Sequence, residues 1–330
     1  MAITLRQLEI FERVATSQHV TKASEQLLIS QSAVSMAIVE LERLCGAPLF
    51  ERRGRRLLLN DRGRLLLPEA KEVLRRTRTI EKVLNEAVQE PAGTLCVGAS
   101  TTIGNYLLPS LLGEFARLYP RAKALLTVGN TQQIEIAVEN GELDLGLIEG
   151  PRHLASLESS VWREDELVVI VGQNHPWSRK RGASAEMLSN APWIMREKGS
   201  GTREVFEAAM EKQGIAISLY LELGHTEAIK KAVEAGLGVG CLSRMAVQRE
   251  LDNHWLVKVD TPLDLRRNLT ILTRSDTYRT KLLEACLSLL QKNSSSEGSR
   301  VKIETPSGRL FRPGCPTRKC KRSSGHSGSK

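Results

Sequence analysis

Residues 20–46, VTKASEQLLISQSAVSMAIVELERLCG, constrain the fold of this chain more than any other stretch. They read as two short helices joined by a tight corner. Thr21 is placed to cap the first helix, its hydroxyl accepting an orphan backbone N–H, and Lys22 to Leu27 continue it with good helix formers. Ile29 and Ser30 break that run, and Ser30 or Gln31 opens the second helix. There Val34, Ile38, Leu41, Leu44 and Cys45 recur at helical spacing and form one buried stripe. Gln31, Ser32, Ser35 and Met36 lie near the N-terminal end, off that stripe, and Gly46 supplies a stop. This is the pattern of a helix-turn-helix, whose second helix enters a DNA major groove with short polar side chains facing base edges and phosphates. An ordinary helical hairpin with a solvated face has the same pattern, so its surroundings must decide.

Those surroundings favour DNA. Leu5, Leu8, Phe11, Val14 and Ala15 place one apolar face on a helix over residues 5–17, which closes a three-helix core. After Gly46, two short β-like pieces flank Arg53-Gly54-Arg55, the composition of a wing. Arg52, Arg53, Arg55 and Arg56 suit phosphates, and one of them suits the electronegative minor groove. Taken together, Ala23, Leu27, Ser30-Gln31-Ser32-Ala33-Val34-Ser35, Ile38, Leu41-Glu42, Gly46, Leu49-Phe50 and Arg52 resemble the signature of LysR-type transcriptional regulators. The resemblance continues to about residue 291. It implies an N-terminal all-α winged helix-turn-helix with a long linker helix, and a C-terminal α/β effector domain of two lobes, like periplasmic binding proteins. It also implies groove contacts from Gln31, Ser32 and Ser35, a minor-groove contact from Arg52 and a phosphate contact from Thr21. Met36 stands where many members carry a longer polar residue.

The expected domains are a DNA-binding domain at 1–60, a dimerising linker at 61–90, an effector domain at 91–292 and a basic tail at 293–330. In the linker, Leu66, Ala70, Val73, Thr77, Ile80, Leu84 and Ala87 alternate by four and three, a heptad seam suited to a second copy of the same helix. No neighbouring element is evident to cover it. Pro68 is tolerated in a first helical turn, which predicts a regular helix from about Leu67. Beyond Pro91, Ala92 and Gly93, strands and helices alternate, which argues a parallel sheet with helices on its faces. By the resemblance, lobe I takes 91–150 and 266–292 and lobe II takes 151–265. The crossings then fall near Glu149 and Gly150 and near residues 260–266.

Several strand ends in this region run into Gly- and hydroxyl-bearing helix starts: Ser100-Thr101-Thr102, Asn130-Thr131, Ser200-Gly201-Thr202 and His225-Thr226. Orphan N–H groups and the helix dipole make such places hospitable to anions, although each alone is an ordinary cap. Their convergence across a cleft is implied by the resemblance. The runs Ile148-Glu149-Gly150-Pro151 and Gly199-Ser200-Gly201-Thr202-Arg203 are similar to a subgroup that includes regulators of sulfur assimilation, sulfite response and autotrophic carbon fixation. That subgroup implies a small anionic effector, such as sulfite, sulfate or a phosphorylated metabolite, and no cofactor. An ionised Glu149 would repel an anion, so its expected role is to gate the pocket or to order a water.

The rival readings are an α/β enzyme acting on a small anion and a stand-alone solute-binding protein. Gly236-Leu237-Gly238-Val239-Gly240 lies between a helix and a strand, the reverse of a nucleotide loop, and no nucleophile elbow, Walker loop or zinc-protease motif is present. The six histidines are scattered. The N-terminus carries charges within its apolar pattern, unlike a secretory signal, and no apolar run approaches the ~20 residues of a membrane helix; the expected location is the cytoplasm. The net charge of +9 comes chiefly from the tail, where nine basic and two acidic residues predict disorder. Cys45, Cys96, Cys241 and Cys286 fit as small buried apolar groups, and Cys315 and Cys320 lack the spacing of a zinc site. The expected partners are promoter DNA, a small effector, a second copy (and a dimer of dimers) and RNA polymerase, with no membrane.

Overall fold

A computed structural model describes residues 3–54, 56–85, 90–275 and 278–294. The chain begins with α1 (Leu5–Ser17), α2 (Val20–Leu27) and α3 (Gln31–Cys45). Thr4 caps α1 with a full capping box to Gln7. Ser30 caps α3, its hydroxyl accepting the Ala33 N–H, and Gly46 ends it at φ 70°. The expected Thr21 cap is not formed. His19 is the extended residue before α2, and Thr21 lies inside the helix, exposed, its carbonyl accepting the Ser24 hydroxyl. Phe11, Val14, Ala23, Val34, Ile38 and Leu41 make the core of this unit, with Leu49 and Phe50 closing it. The Phe11 and Phe50 rings stack 5.4 Å apart, tilted at 60°. Burying a side chain of that size is worth about 1.5–3 kcal/mol.

The wing is a two-stranded antiparallel ribbon, β1 (Phe50–Arg53) and β2 (Arg56–Leu59), in which Arg53 pairs with Arg56. Gly54 takes φ 62° at its tip, a left-handed conformation that costs glycine nothing. Arg55 falls outside the described residues.

The linker helix α4 (Asp61–Asn85) starts six residues earlier than the proline suggested. Asn60 caps it, its side chain accepting the Gly63 N–H, and Pro68 sits exposed within the helix. The bond lost at Pro68 therefore faces water, where the freed carbonyl is solvated. The seam also divides differently from expectation. Ala70 and Leu74 are buried against the three-helix core and Leu66 packs there too, so α4 has a partner within its own chain. Val73 and Ile80 remain 43% and 59% exposed. Ala87 lies outside the described residues. Further along, Lys71 Nζ meets Glu142 at 3.0 Å, and Arg75 lies across Gly141, whose missing Cβ makes room for it.

Lobe I is built from β3 (Gly93–Ser100), α5 (Thr101–Tyr106), α6 (Leu108–Leu118), β4 (Ala122–Gly129), α7 (Thr131–Glu139) and β5 (Leu145–Glu149). The long strand β6 (Leu157–Gly172) then leads into α8 (Ala185–Ser189), β7 (Trp193–Arg196), α9 (Gly201–Lys212), β8 (Leu219–Leu223), α10 (Thr226–Glu234), β9 (Val239–Ser243), α11 (Arg244–Asp252) and β10 (Leu256–Val259). The chain returns through β11 (Arg266–Arg274) to α12 (Lys281–Ser294). Among the described residues the strands β3 to β11 form one sheet in the order β4-β3-β5-β11-β6-β9-β7-β8, with β10 beside β6. The sheet is mixed rather than parallel. β3, β4 and β5 run parallel, as do β7, β8 and β9, whereas β11 and β6 enter antiparallel because they carry the chain from lobe to lobe.

Strand β6 also moves the first crossing. Residues 157–161 and 163–166 pair with β11 beside lobe I, with Trp162 at a bulge, and from Leu167 the strand pairs with β9 in lobe II. The changeover falls at Glu166 and Leu167, not at Glu149 and Gly150. Each lobe fills its own core, around Phe115 and Trp162 in one and around Trp193 and Phe206 in the other. No helix among the described residues is long and apolar enough to cross a membrane.

The cap on α3 is open to a direct check. Ser30→Ala leaves the Ala33 N–H without its acceptor, and thermal unfolding should show about 1 kcal/mol less stability in the DNA-binding unit.

Candidate functional site

The two lobes meet where the ends of β3, β5 and β11 face the start of α9. Glu149, the last residue of β5, is buried there. Its carboxylate accepts the Thr102 N–H in the first turn of α5 at 2.7 Å and the Thr202 hydroxyl from α9 at 2.9 Å. Arg267 completes the shell, with Nη1 2.9 Å from the Glu149 carboxylate and 2.9 Å from the Thr202 hydroxyl. On its other side Arg267 is paired with Asp165, its direct cross-strand neighbour at the crossing, through Nε and Nη2 at 2.7 Å. Asp165 also accepts the Ser243 hydroxyl. Burial alone would raise the Glu149 pKa. The Arg267 charge and the bonds from Thr102 and Thr202 outweigh it and hold the group ionised.

The backbones touch as well. The Thr131 hydroxyl donates to the Glu149 carbonyl and accepts the Gly201 N–H, binding lobe I to lobe II at 3.0 and 3.2 Å. A Cβ at Gly201 would overlap the Glu149 carbonyl oxygen, so only glycine permits this approach. Beside it, Arg196 from β7 is buried, clasps Glu197 with two bonds and reaches the Thr101 hydroxyl at 3.2 Å. The Asn130 amide donates to the same Glu197, and the Gln132 N–H donates to the Gly199 carbonyl.

Of the residues expected in the cleft, Thr102, Thr131, Glu149, Gly201 and Thr202 converge on one cluster. Thr101 and Asn130 belong to the adjoining Arg196 group, and Ser100 and Ser200 are buried at the helix starts. Thr226 is buried at the start of α10 but makes no side-chain hydrogen bond to the cluster among the described residues. Sequence reading missed Arg267, Asp165 and Arg196. The signal was present for the first: Arg267 falls on the inward period of β11 with Leu269 and Ile271, and a charge on an apolar face requires a partner.

A second tie lies at the edge of the cleft. His153, in the loop between β5 and β6, has Nδ1 2.9 Å from Glu135 on α7 and Nε2 2.9 Å from Glu204 on α9. Its backbone N–H donates to Glu135 as well. The ring forms one wall of a cavity of about 480 Å³ that Lys198, Arg203 and Glu207 also line. Only an imidazolium has N–H groups for both carboxylates, and Glu204 and Glu135 accordingly raise the His153 pKa.

In the DNA-binding unit, Gln31, Ser32, Ser35 and Met36 are exposed on α3, and Arg52 and Arg53 are exposed on β1. Ser32 shares a hydrogen bond with the Ser30 cap, and Arg53 lies 3.0 Å from Glu51. The arrangement is a winged helix-turn-helix carried by a helix that leads to a two-lobed sensor.

Residues 5–64 match the bacterial regulatory helix-turn-helix protein, lysR family, and residues 88–295 match the LysR substrate binding domain. The chain is a LysR-type transcriptional regulator. A relative from Escherichia coli (strain K12), described as the uncharacterized HTH-type transcriptional regulator YeiE, is 43% identical over 263 residues, 80% of this chain and 88% of that protein. Full-length OxyR from Pseudomonas aeruginosa, in a variant form, has a similar fold, with a TM-score of 0.66 at 24% identity over 88% of this chain and 95% of that one. The CcmR regulatory domain of Synechocystis, in complex with 2-PG, is 30% identical with a TM-score of 0.58 and covers 62% of this chain and 98% of that one. This LysR-type regulator therefore binds DNA through its front domain and a small effector through its rear one, and its matched families and relatives are regulators rather than enzymes. Among the described residues no His, Cys, Asp and Glu group is arranged to hold a metal ion.

The His153 tie makes stability depend on pH with a fixed sign. Its folded pKa is raised, so its contribution is complete below the ordinary histidine value near 6.5 and is lost as pH rises through the folded value. Thermal unfolding of the wild type and His153→Gln should differ most in acid and converge in alkali.

Proposed function

We propose that the effector is a small anion that competes with the Glu149 carboxylate for the Thr102 N–H and the Thr202 hydroxyl. The observation that carries this reading is the cradle itself. A helix N-terminus, a hydroxyl from the opposite lobe and a buried guanidinium surround a negative charge, and that charge is the chain's own. Glu149 thus acts as the gate. An incoming anion takes over its donors and Arg267 and changes how tightly Thr202 is drawn to lobe I. Ser100, Thr101, Asn130, Thr131, Ser200 and Gly201 shape the wall, and Thr226 has a lesser part. Sulfite, sulfate and 2-PG share the required charge and compactness, and the similarity to the CcmR regulatory domain supports the last.

On the DNA side, α3 lies in the major groove with Gln31, Ser32 and Ser35 toward the bases, and Arg52, Arg53 and Arg55 follow the backbone or the minor groove. Thr21, exposed in the first turn of α2, is suited to a phosphate. Val73 and Ile80, left exposed along α4, are the seam for a second copy, and two such dimers give the assembly that addresses two half-sites in the cytoplasm. RNA polymerase reads the resulting promoter complex. An effector moves such an assembly only through different affinity for its two arrangements.

Thermal unfolding of the full chain with sulfate, sulfite or 2-PG should shift upward for the effector class. The shift should vanish in Thr202→Ala while promoter binding without effector is kept. Gln31→Ala should lose roughly tenfold in sequence-specific affinity, measured by fluorescence anisotropy, and keep the anion response.

A further inference from the structure

The exposed face of α3 is more apolar than a groove-reading helix built only on hydrogen bonds requires. Met36 and Val39 are 72% and 65% exposed, while Val34, Ile38 and Leu41 bury the opposite side. At ~100° per residue, Met36 lies almost diametrically across from that buried stripe, with Ser32 one turn before it and Val39 beside it. Gln31 and Ser35 stand toward the flank. At the far end of the face Arg43 is already held by Glu40 through two bonds of 2.8 and 2.6 Å. The centre of the helix surface is therefore a hydroxyl followed by two apolar side chains.

We propose that Met36 and Val39 determine operator specificity by contacting the 5-methyl groups of thymines in the major groove. The inference rests on α3 being the groove helix. Of the groups that base edges present in that groove, the thymine methyl is the apolar one, and the others are hydrogen-bond donors and acceptors. Neither Met36 nor Val39 can satisfy a donor or an acceptor well, so an A or G edge set against them would lose its water without compensation. Val39 is stiff at χ1 and fixes one contact, whereas the unbranched Met36 thioether adapts to the position of its methyl. Met36 and Val39 thus read an apolar feature of the base pair rather than a donor or acceptor.

Thymine can be exchanged for deoxyuridine, which lacks only the methyl. A binding duplex is first selected from a random pool with the full-length protein, and each thymine is then replaced in turn. One or two positions in each half-site should lose roughly fourfold in affinity, the value of one buried methyl-sized group. Met36→Ala should bind the thymine and deoxyuridine duplexes equally at one of these positions, and Val39→Ala at the other. Both side chains are exposed, and unchanged melting of the variants confirms that folding is intact. Wild-type indifference to every exchange overturns the proposal but leaves groove binding by α3 standing. An unchanged deoxyuridine penalty in the double variant also overturns it, as does a change of oligomeric state in place of a change of base preference. Failure to select any sequence removes the groove reading and the proposal with it.

Discussion

The Arg267 guanidinium is the point on which the effector half depends. It sits where β6 and β11 pass from lobe to lobe, pairs with Asp165 across the strand ladder and with Glu149 at the end of β5, and is buried with both. Two carboxylates and one cation in such a place are not chiefly a source of stability, since desolvation offsets much of the Coulomb gain. Removing one partner, however, typically costs about 3–5 kcal/mol. Such a cluster fixes geometry. Thr102, Thr202 and Ser243 take up the remaining oxygens, so three segments of lobe I and two of lobe II are registered against one side chain.

Under the proposed reading, the interlobe angle follows what occupies the cradle. Around the central cluster, Arg196 with Glu197, Asn130 and Thr101 forms a second crossing, and Lys230 with Glu227, Glu250 and Tyr106 a third. His153 is the fourth, and the only one of these built around an imidazole, whose pKa Glu204 and Glu135 raise. Packed cores are bistable rather than elastic, so a change of charge in the cradle favours one lobe arrangement over another. Lobe I holds the linker through Lys71 with Glu142 and Arg75 over Gly141, and the linker is packed by Ala70 and Leu74 into the DNA-binding core. Lobe I, the linker and the front domain are therefore in continuous contact.

Much of this was readable before the fold. The stripe of Val34, Ile38 and Leu41, a helix opening at Ser30 or Gln31 and the Gly46 stop follow from short-range rules, and the structure has each of them, with Ser30 as the cap. The alternation of strands and helices gave the effector domain its class. Errors arose where long-range contacts override local signals. Pro68 suggested a late helix start, but one lost bond facing water is tolerated when Ala70 and Leu74 are buried beyond it. The crossing was misplaced because the first half of β6, with only Leu157, Trp162 and Asp165 fully inward, lacks the apolar density of its second half. Thr102, Thr131 and Thr202 are legible as helix starts and Glu149 as a charge among them, whereas its counter-charge Arg267 is not. Arg267 lies over a hundred residues along the chain from Glu149, and pairing at that range leaves no local pattern.

The central claim is that the chain's own carboxylate holds the place of the effector anion, and a structure of the full chain with an anion that stabilises it tests this most directly. The account predicts anion oxygens on the Thr102 N–H and the Thr202 hydroxyl, with Glu149 turned away from both and Arg267 shared with the ligand. An anion bound elsewhere, with Glu149 still seated on Thr102 and Thr202, would contradict it.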